Sequence, residues 1–198
     1  MRASRNTLRN PSKYPTGPDG YFGKTPRMES AHPQPGPRPT GVPWSAFAAA
    51  EPGFADRVKA RFGLYQHQVL ATLRKDGSPR TSGLEVSFSQ GELWLGMMPG
   101  SLKAHDLHRD PRFALQANPG SGAELADGDV RIAGHAIEVT DPSVLDTFRT
   151  AVNPPPGPFH LFRTELTETV WSGLDMEREE MVITLWHPGH PLRETRRR

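Results

Sequence analysis

The hydrophobic residues that follow position 53 change their spacing from that of a helix to that of a strand. Phe54, Val58 and Phe62 lie four residues apart, so they share one face of a predicted helix that ends at Gly63. Over residues 69–73 hydrophobic side chains recur at every second position and also fill places between them, which indicates a strand that is buried at its beginning. The chain therefore passes from a helix into a sheet.

Short glycine-containing turns separate this strand from two more. An Asp-Gly pair at 76–77 is a strong hairpin signal, and a second strand is predicted over 80–89. A Gln-Gly pair at 90–91 then turns the chain into a third strand over 92–97. Three consecutive strands joined by tight turns predict an antiparallel meander.

The second half of the chain continues the sheet, with two short helices between its strands. Ser101 is a candidate N-cap for a helix over 102–109, and Asp141-Pro142 begins another that reaches about Val152. The remaining strands are predicted over 113–116, 129–140, 159–171 and 181–186, with a glycine-rich loop over 118–128. About seven mostly antiparallel strands and three short helices favour a closed or partly closed barrel over a parallel α/β fold.

The two ends of the chain differ in composition from the body. Residues 1–43 contain nine prolines, five glycines, seven basic and two acidic side chains, so we expect a disordered basic tail. A folded domain is predicted over 44–192, and a short basic tail over 193–198. We expect this tail to be solvated and unstructured, with a polyanion-binding tail as the alternative. Met28 lies inside the first tail, and one hypothesis is that translation begins there.

Charge and composition exclude several classes of protein. The residues after position 43 carry 17 basic and 20 acidic side chains, so the high pI of 9.1 comes from the tails, and a nucleic-acid partner is not expected. No apolar run approaches the roughly 20 residues of a membrane-spanning helix. Cysteine is absent, which excludes disulfides and thiolate chemistry. With no signal-peptide pattern, a cytoplasmic protein is expected.

The most informative candidate site is the turn between the third strand and the following helix. Ser101 offers a hydroxyl and Lys103 an ammonium group at the beginning of a helix, where unpaired backbone N–H groups favour an anion. Arg80 and Thr81, on the strand expected alongside, add further donors. The alternative is an ordinary N-cap followed by a surface lysine.

Two histidine pairs have a spacing that a metal ion can bridge. His105 and His108 lie one helical turn apart, and His187 and His190 flank a Pro-Gly turn. A metal site needs a third ligand, which neither pair identifies. We therefore interpret the first pair as a solvated helix face and assign no metal site and no catalytic residue.

Five segments together resemble the pyridoxamine 5′-phosphate oxidase-like, FMN-binding split-barrel superfamily, and in particular its flavin- or deazaflavin-dependent oxidoreductase branch. They cover residues 70–80, 91–96, 100–115, 160–168 and 186–189. The resemblance implies a six-stranded split β-barrel that forms a homodimer, with two cofactor sites at the subunit interface.

The resemblance also implies roles for individual residues. Ser101 and Lys103 would bind the cofactor phosphate, and two strands would line the ring with Arg80, Thr81, Ser82, Leu95, Gly96 and Met97. Trp186 and His187 match a region that often reaches the partner's cofactor. Glu85 stands where many relatives carry an apolar or aromatic residue; it is an acid or a cation anchor if it faces the substrate pocket, and a solvated carboxylate if it faces water.

The leading functional hypothesis is an oxidoreductase that uses FMN or an 8-hydroxy-5-deazaflavin (coenzyme F(420)) to act on a small organic substrate. Arg74, Lys75 and Arg80 are candidates for the acidic tail of the deazaflavin. The chain ends in His-Pro-Leu-Arg at 190–193 and not in the Arg-Leu-His segment of the true oxidases, so pyridoxamine phosphate is not the expected substrate. Two alternatives are a non-catalytic flavin- or haem-binding barrel and a structural dimer with an empty site.

Overall fold

A computed structural model describes residues 40–120 and 128–198 of the chain. The predicted N-terminal tail up to residue 39, including the candidate start at Met28, lies outside the described residues, as does most of the predicted glycine-rich loop. Val42–Pro43, which precedes the expected domain boundary at Trp44, already pairs with a strand of the sheet.

The described residues form ten strands and four helices. The helices are α1 (Trp44–Ala50), α2 (Pro52–Gly63), α3 (Leu102–Arg109) and α4 (Pro142–Val152). The strands are β1 (Val42–Pro43), β2 (Gln68–Leu73), β3 (Pro79–Leu84), β4 (Val86–Ser89), β5 (Glu92–Met97), β6 (Arg112–Gln116), β7 (Asp129–Glu138), β8 (His160–Asp175), β9 (Glu180–Trp186) and β10 (Arg193–Arg197). The prediction of a mainly antiparallel β fold with short flanking helices is confirmed; α1 was not predicted.

The strands follow one another around a barrel that is split at one place. On one side of β7 the ladder runs through β6 and β2 to β3. On its other side the ladder runs through β8 and β5 to β4. Because β3 continues directly into β4, the circuit is complete along the chain, but no ladder in the described part joins β3 to β5. The sheet is therefore not closed by hydrogen bonds.

The predicted single strand over 80–89 is wrong, because Glu85 divides it into β3 and β4. The last pair of the β2–β3 ladder joins Gln68 to Leu84, whereas Val86 already pairs with Leu95 of β5. A strand that changes partners within two residues must bend between them. The bend creates the split and leaves Glu85 exposed at its end.

The expectation of an unstructured C-terminal end is also wrong, because Arg193–Arg197 forms β10 at the edge of the sheet, paired with β9. Arg196 contacts Asp175 at 2.8 Å, Glu194 at 3.0 Å and Glu180 at 3.6 Å. Acidic side chains of the neighbouring strands thus compensate charge that sequence reading assigned to a solvated tail.

The core fills the barrel and continues under α1 and α2. The predicted helix face is confirmed, since Phe54, Val58 and Phe62 are all buried. Phe47 of α1 is fully buried, and its ring centroid lies 4.5 Å from that of Trp186 and 5.8 Å from that of Phe54. A smaller cluster anchors α4 through Phe148, which packs with Trp94, Phe159 and Leu161. No helix in the described ranges is long and apolar enough to cross a membrane.

One glycine permits a close approach between the two longest strands. The β7–β8 register shifts between Ala133 and Gly134. A Cβ atom on Gly134 would lie 2.1 Å from the backbone oxygen of Glu165, closer than non-bonded atoms can come. Only glycine fits here without movement of the β8 backbone.

Candidate functional site

The predicted turn between the third strand and its helix is present, and we call residues 97–103 the anion corner. The chain leaves β5 at Met97, turns at Gly100 with a φ of 67°, and enters α3 at Leu102. A left-handed φ favours glycine, and the turn leaves the first N–H groups of α3 without acceptors inside the helix. Ser101 stands at the N-cap position, but its hydroxyl makes no capping hydrogen bond.

Lys103 brings a partly buried ammonium group to the anion corner. Its Nζ donates to the backbone oxygen of Gly83 on β3. Burial lowers the pKa of Lys103. Among the residues that the structure describes, no carboxylate forms an ion pair with this lysine. The positive charge is therefore partly desolvated and uncompensated, a state that a bound anion would relieve.

Two serine hydroxyl groups, one in the anion corner and one on β3, are buried without a hydrogen-bond partner in the described residues. They are Oγ of Ser101 at the beginning of α3 and Oγ of Ser82 on β3. Ser82 is the immediate neighbour of Gly83, whose carbonyl accepts from Lys103. Buried polar groups in folded proteins are normally hydrogen-bonded, so two without partners beside a lysine indicate a place for a polar ligand.

The side chains of β3 alternate between the two faces of the strand. Arg80, Ser82 and Leu84 are more buried than Thr81 and Gly83, which lie on the exposed face. The structure therefore brings Arg80 and Ser82 to one face and places the Thr81 side chain on the other.

The three residues predicted on β5 contribute differently from one another. Leu95 and Met97 are buried in the core, so their side chains do not line an open surface. Gly96 lies between them, and a Cβ atom built on it would meet nothing within 4 Å. The same is true of Gly83 on β3. Beside the split, both glycines therefore leave the strand backbone uncovered, with room for a flat group.

A buried carboxylate, which sequence reasoning did not single out, holds α3 against the sheet. Asp106 accepts hydrogen bonds from Thr72 Oγ1 at 2.9 Å, Arg80 Nε at 2.6 Å and Arg109 Nη2 at 3.0 Å. Burial by itself would raise the pKa of Asp106, but hydrogen bonds from Arg80, Arg109 and Thr72 outweigh burial and lower it. The only sequence signal was an acidic residue on the helix face that also carries the buried Ala104 and Leu107.

Trp186, His187 and Glu85 lie outside the anion corner. The Trp186 ring is 3% exposed and packs in the core, so it does not reach the surface. His187 Nδ1 lies 2.9 Å from the backbone oxygen of Thr167, beside a cleft of about 610 Å³. Glu85 is exposed, with an oxygen 3.3 Å from Nε2 of His67.

His105 and His108 do not assemble as a ligand pair. The ring centroids of His105 and His108 are 6.5 Å apart, and His108 instead contacts Glu138, which also contacts His160. As a candidate metal ligand pair, the sequence combined His108 with His105, because Glu138 and His160 are distant along the chain.

Comparisons with known proteins agree with this architecture. A family model for pyridoxamine 5′-phosphate oxidase matches residues 55–170 of the chain. No curated protein matches it in a sequence search.

Solved structures share the fold at low sequence identity. A pyridoxamine 5′-phosphate oxidase-related, FMN binding protein from Nostoc punctiforme is 16% identical with a TM-score of 0.53, over 78% of this chain and 99% of that one. PhzG from Burkholderia lata, in complex with tetrahydrophenazine-1-carboxylic acid, is 14% identical with a TM-score of 0.51, over 79% of this chain and 93% of that one. With the family model spanning more than half of its length, the chain belongs to the pyridoxamine 5′-phosphate oxidase family.

Proposed function

We propose that the protein is an oxidoreductase that binds FMN at the anion corner and acts on a small organic substrate. The observation that carries the proposal is the combination of Lys103, which has no acidic partner among the described residues, with the unpartnered hydroxyls of Ser82 and Ser101. An FMN phosphate supplies the negative charge and the acceptor oxygens that these three groups lack. The residues present therefore fit the group that the family implies.

Lys103 and the beginning of α3 would hold the phosphate. The lysine provides a point charge, the helix provides N–H groups and a favourable dipole, and each serine hydroxyl can donate one hydrogen bond. If Nζ turned to the phosphate, the carbonyl oxygen of Gly83 would lose its lysine donor. Because this oxygen lies on exposed strand backbone, a water molecule can replace that donor.

The split between β3 and β5 would receive the ring. Gly83 and Gly96 leave open space on the two strands that flank the split, so a planar group can approach the backbone closely. Bound FMN supplies hydride or electron transfer, and the protein's part is to orient the ring and exclude competing reactions. Arg80 reaches the site with a charge that Asp106 already partly compensates, so its role would be to position α3 relative to β3.

A second copy of the chain would complete the site. Met98 and Leu102 lie within the anion corner and are 77% and 61% exposed, more apolar surface than a solvated turn requires. The proposal therefore includes a homodimer in which this surface is covered, with His187 as the side chain offered to the partner's cofactor. It also keeps the cytoplasmic location expected from the sequence.

A deazaflavin is the second candidate cofactor, and exposed Lys75 is the observation that favours it. Arg74 donates to the backbone oxygen of Pro79 and Arg80 to Asp106, whereas Lys75 is a candidate cation with no hydrogen bond or ion pair among the described residues. An acidic cofactor tail along the β2–β3 turn would need that charge. Replacement of Lys75 by alanine should then weaken deazaflavin binding while FMN binding stays unchanged.

Cofactor titration of the purified protein tests the proposal. Fluorescence quenching should show FMN binding, and Lys103→Ala should weaken it by about ten- to a hundredfold, because a hydrogen bond to a charged group contributes about 1.5–3 kcal/mol. Lys59→Ala is the matched control, since Lys59 is exposed on α2 and its Nζ lies 5.9 Å from the centroid of the Phe88 ring. This control should bind FMN like the wild type.

The absorbance spectrum separates the classes of ligand. Flavin bands support the proposal, a deazaflavin band supports the second candidate, and a Soret band would replace both with the haem-binding alternative. FMN affinity that is the same in Lys103→Ala and Lys59→Ala contradicts the assignment of the anion corner.

A further inference from the structure

Three side chains from three different elements converge at one end of the barrel. His108 lies in the last turn of α3, Glu138 is the last residue of β7, and His160 is the first residue of β8. Their ligand-capable atoms all lie within 4.8 Å of one another. We propose that His108, Glu138 and His160 form a binding site for a divalent transition-metal ion.

Short contacts tie the three groups together through the carboxylate. His108 Nε2 lies 2.7 Å from one oxygen of Glu138, and His160 Nδ1 lies 2.6 Å from the other. The ring centroids of the two histidines are 5.2 Å apart, and both rings pack near Phe162. The two histidine rings therefore lie beside one aromatic side chain, and the three ligands are already close together before an ion binds.

The donor set identifies the class of ion. Two imidazole nitrogens and one carboxylate oxygen are the protein ligands of many three-ligand zinc sites and of non-haem iron(II) sites. Hard cations such as Mg²⁺ and Ca²⁺ prefer oxygen donors and would be disfavoured. The three side chains are between 25% and 37% exposed, so water can occupy the remaining coordination positions.

The arrangement would have to open slightly to admit a metal ion. In a tetrahedral zinc site ligand atoms lie about 3.3 Å apart, so the contacts of 2.7 Å and 2.6 Å would have to lengthen by about 0.6–0.7 Å. The nitrogens that now face Glu138 would have to present lone pairs to the ion, so each neutral imidazole would carry its proton on its other ring nitrogen.

This site is separate from the anion corner although α3 contributes to both. Lys103 and His108 are five residues apart on the helix, which corresponds to about 140° around the axis and about 7.5 Å along it. Lys103 faces β3, whereas His108 faces the ends of β7 and β8. Metal binding therefore does not require FMN, and its test is independent of the proposed function.

Calorimetric titration with Zn²⁺ tests the site in the full chain, purified without a polyhistidine tag and treated with a chelator. One ion should bind per chain. His108→Ala, Glu138→Gln and His160→Ala should each weaken binding by about a hundredfold or more, because even loss of an outer-shell partner costs roughly 10–100-fold. His190→Ala is the matched control, an exposed histidine on a different turn, and should bind like the wild type.

Thermal unfolding of each variant without metal distinguishes lost ligands from lost folding. Zn²⁺ should raise the melting temperature of the wild type and of His190→Ala, and leave that of the three ligand variants unchanged. Absence of binding to the wild type overturns the proposal and leaves a hydrogen-bonded His-Glu-His cluster. Binding that all four variants share equally, or that responds only to His190→Ala, overturns it as well.

Discussion

Replacement of Asp106 by asparagine should destabilise the fold measurably, because this carboxylate joins α3 to two strands. Its side chain is 4% exposed and accepts from Thr72, Arg80 and Arg109. Breaking a buried ion pair costs about 3–5 kcal/mol. The arginines are 21% and 37% exposed, and asparagine keeps one acceptor oxygen, so we expect a loss of about 2–3 kcal/mol.

The assay is urea unfolding at pH 7, with thermal unfolding as a second measurement. A loss of this size should lower the melting temperature by roughly 5–10 °C in a domain of this length. The matched control is Asp146→Asn on α4, because Asp146 is 74% exposed and its contact with Arg149 is solvated. The control should unfold with the wild type. A loss below about 0.5 kcal/mol in Asp106→Asn, the range of ordinary surface substitutions, would refute the reasoning.

The same variant has a pH dependence whose sign follows from the lowered pKa of Asp106. A carboxyl group with a lower pKa in the folded state stabilises the protein above the pKa of the unfolded state, near 3.8. That stabilisation is lost as the pH falls through the lower pKa of the folded state. The difference in stability between wild type and Asp106→Asn should therefore be constant from pH 7 to 5 and shrink below about pH 4. A difference that persists unchanged at pH 3 contradicts this account.

Two glycines are expected to respond in opposite ways to added side chains. Gly134→Ala should lower the free energy of unfolding, measured in urea, by at least about 1–3 kcal/mol, because its Cβ would clash with the Glu165 carbonyl. If this variant were as stable as the wild type, the β8 backbone would have to move freely there. Gly96→Val should leave urea unfolding unchanged, since its Cβ meets open space, but should weaken FMN binding at least tenfold by occupying the proposed ring position. FMN affinity that is unchanged in Gly96→Val would show that the ring does not bind in the split between β3 and β5. Light scattering should report a dimer. A monomer that binds FMN with full affinity would show that the site does not need a second copy of the chain.

Local patterns were enough to predict much of the fold. The residues of α2 reveal their buried face by spacing alone, and the β2–β3 turn carries its signal within two residues. The bounds of α3 follow from a serine before it and a proline after it. These elements depend on neighbours in sequence, which is why hydrophobic period and turn chemistry identify them.

Features that depend on distant partners escaped sequence reading. The break at Glu85 exists because the first half of this segment pairs with β2 and the second half pairs with β5. The hydrophobic pattern within residues 80–89 carries no signal for this change of partner. β10 forms by pairing with β9, and its Arg196 contacts Asp175 and Glu180, which lie outside the C-terminal segment. The composition of residues 193–198 indicated only a solvated tail.

The candidate site was predictable in part for the same reason. Ser101 and Lys103 are adjacent to a helix start and were identified together. The contribution of Ser82 as an unpartnered hydroxyl, and the burial of Leu95 and Met97, required the three-dimensional arrangement of β3 and β5. The His108, Glu138 and His160 cluster spans two long separations along the chain, so a search by spacing could find only one of its members.

The central claim is that Lys103 and its neighbouring hydroxyls bind a phosphate, and a comparison of FMN with riboflavin tests it most directly. The two ligands differ only in that phosphate. We expect the wild type to prefer FMN, and Lys103→Ala to reduce that preference by about ten- to a hundredfold while riboflavin binding stays unchanged. Equal weakening of both ligands, or a preference for FMN that survives in Lys103→Ala, would contradict the account.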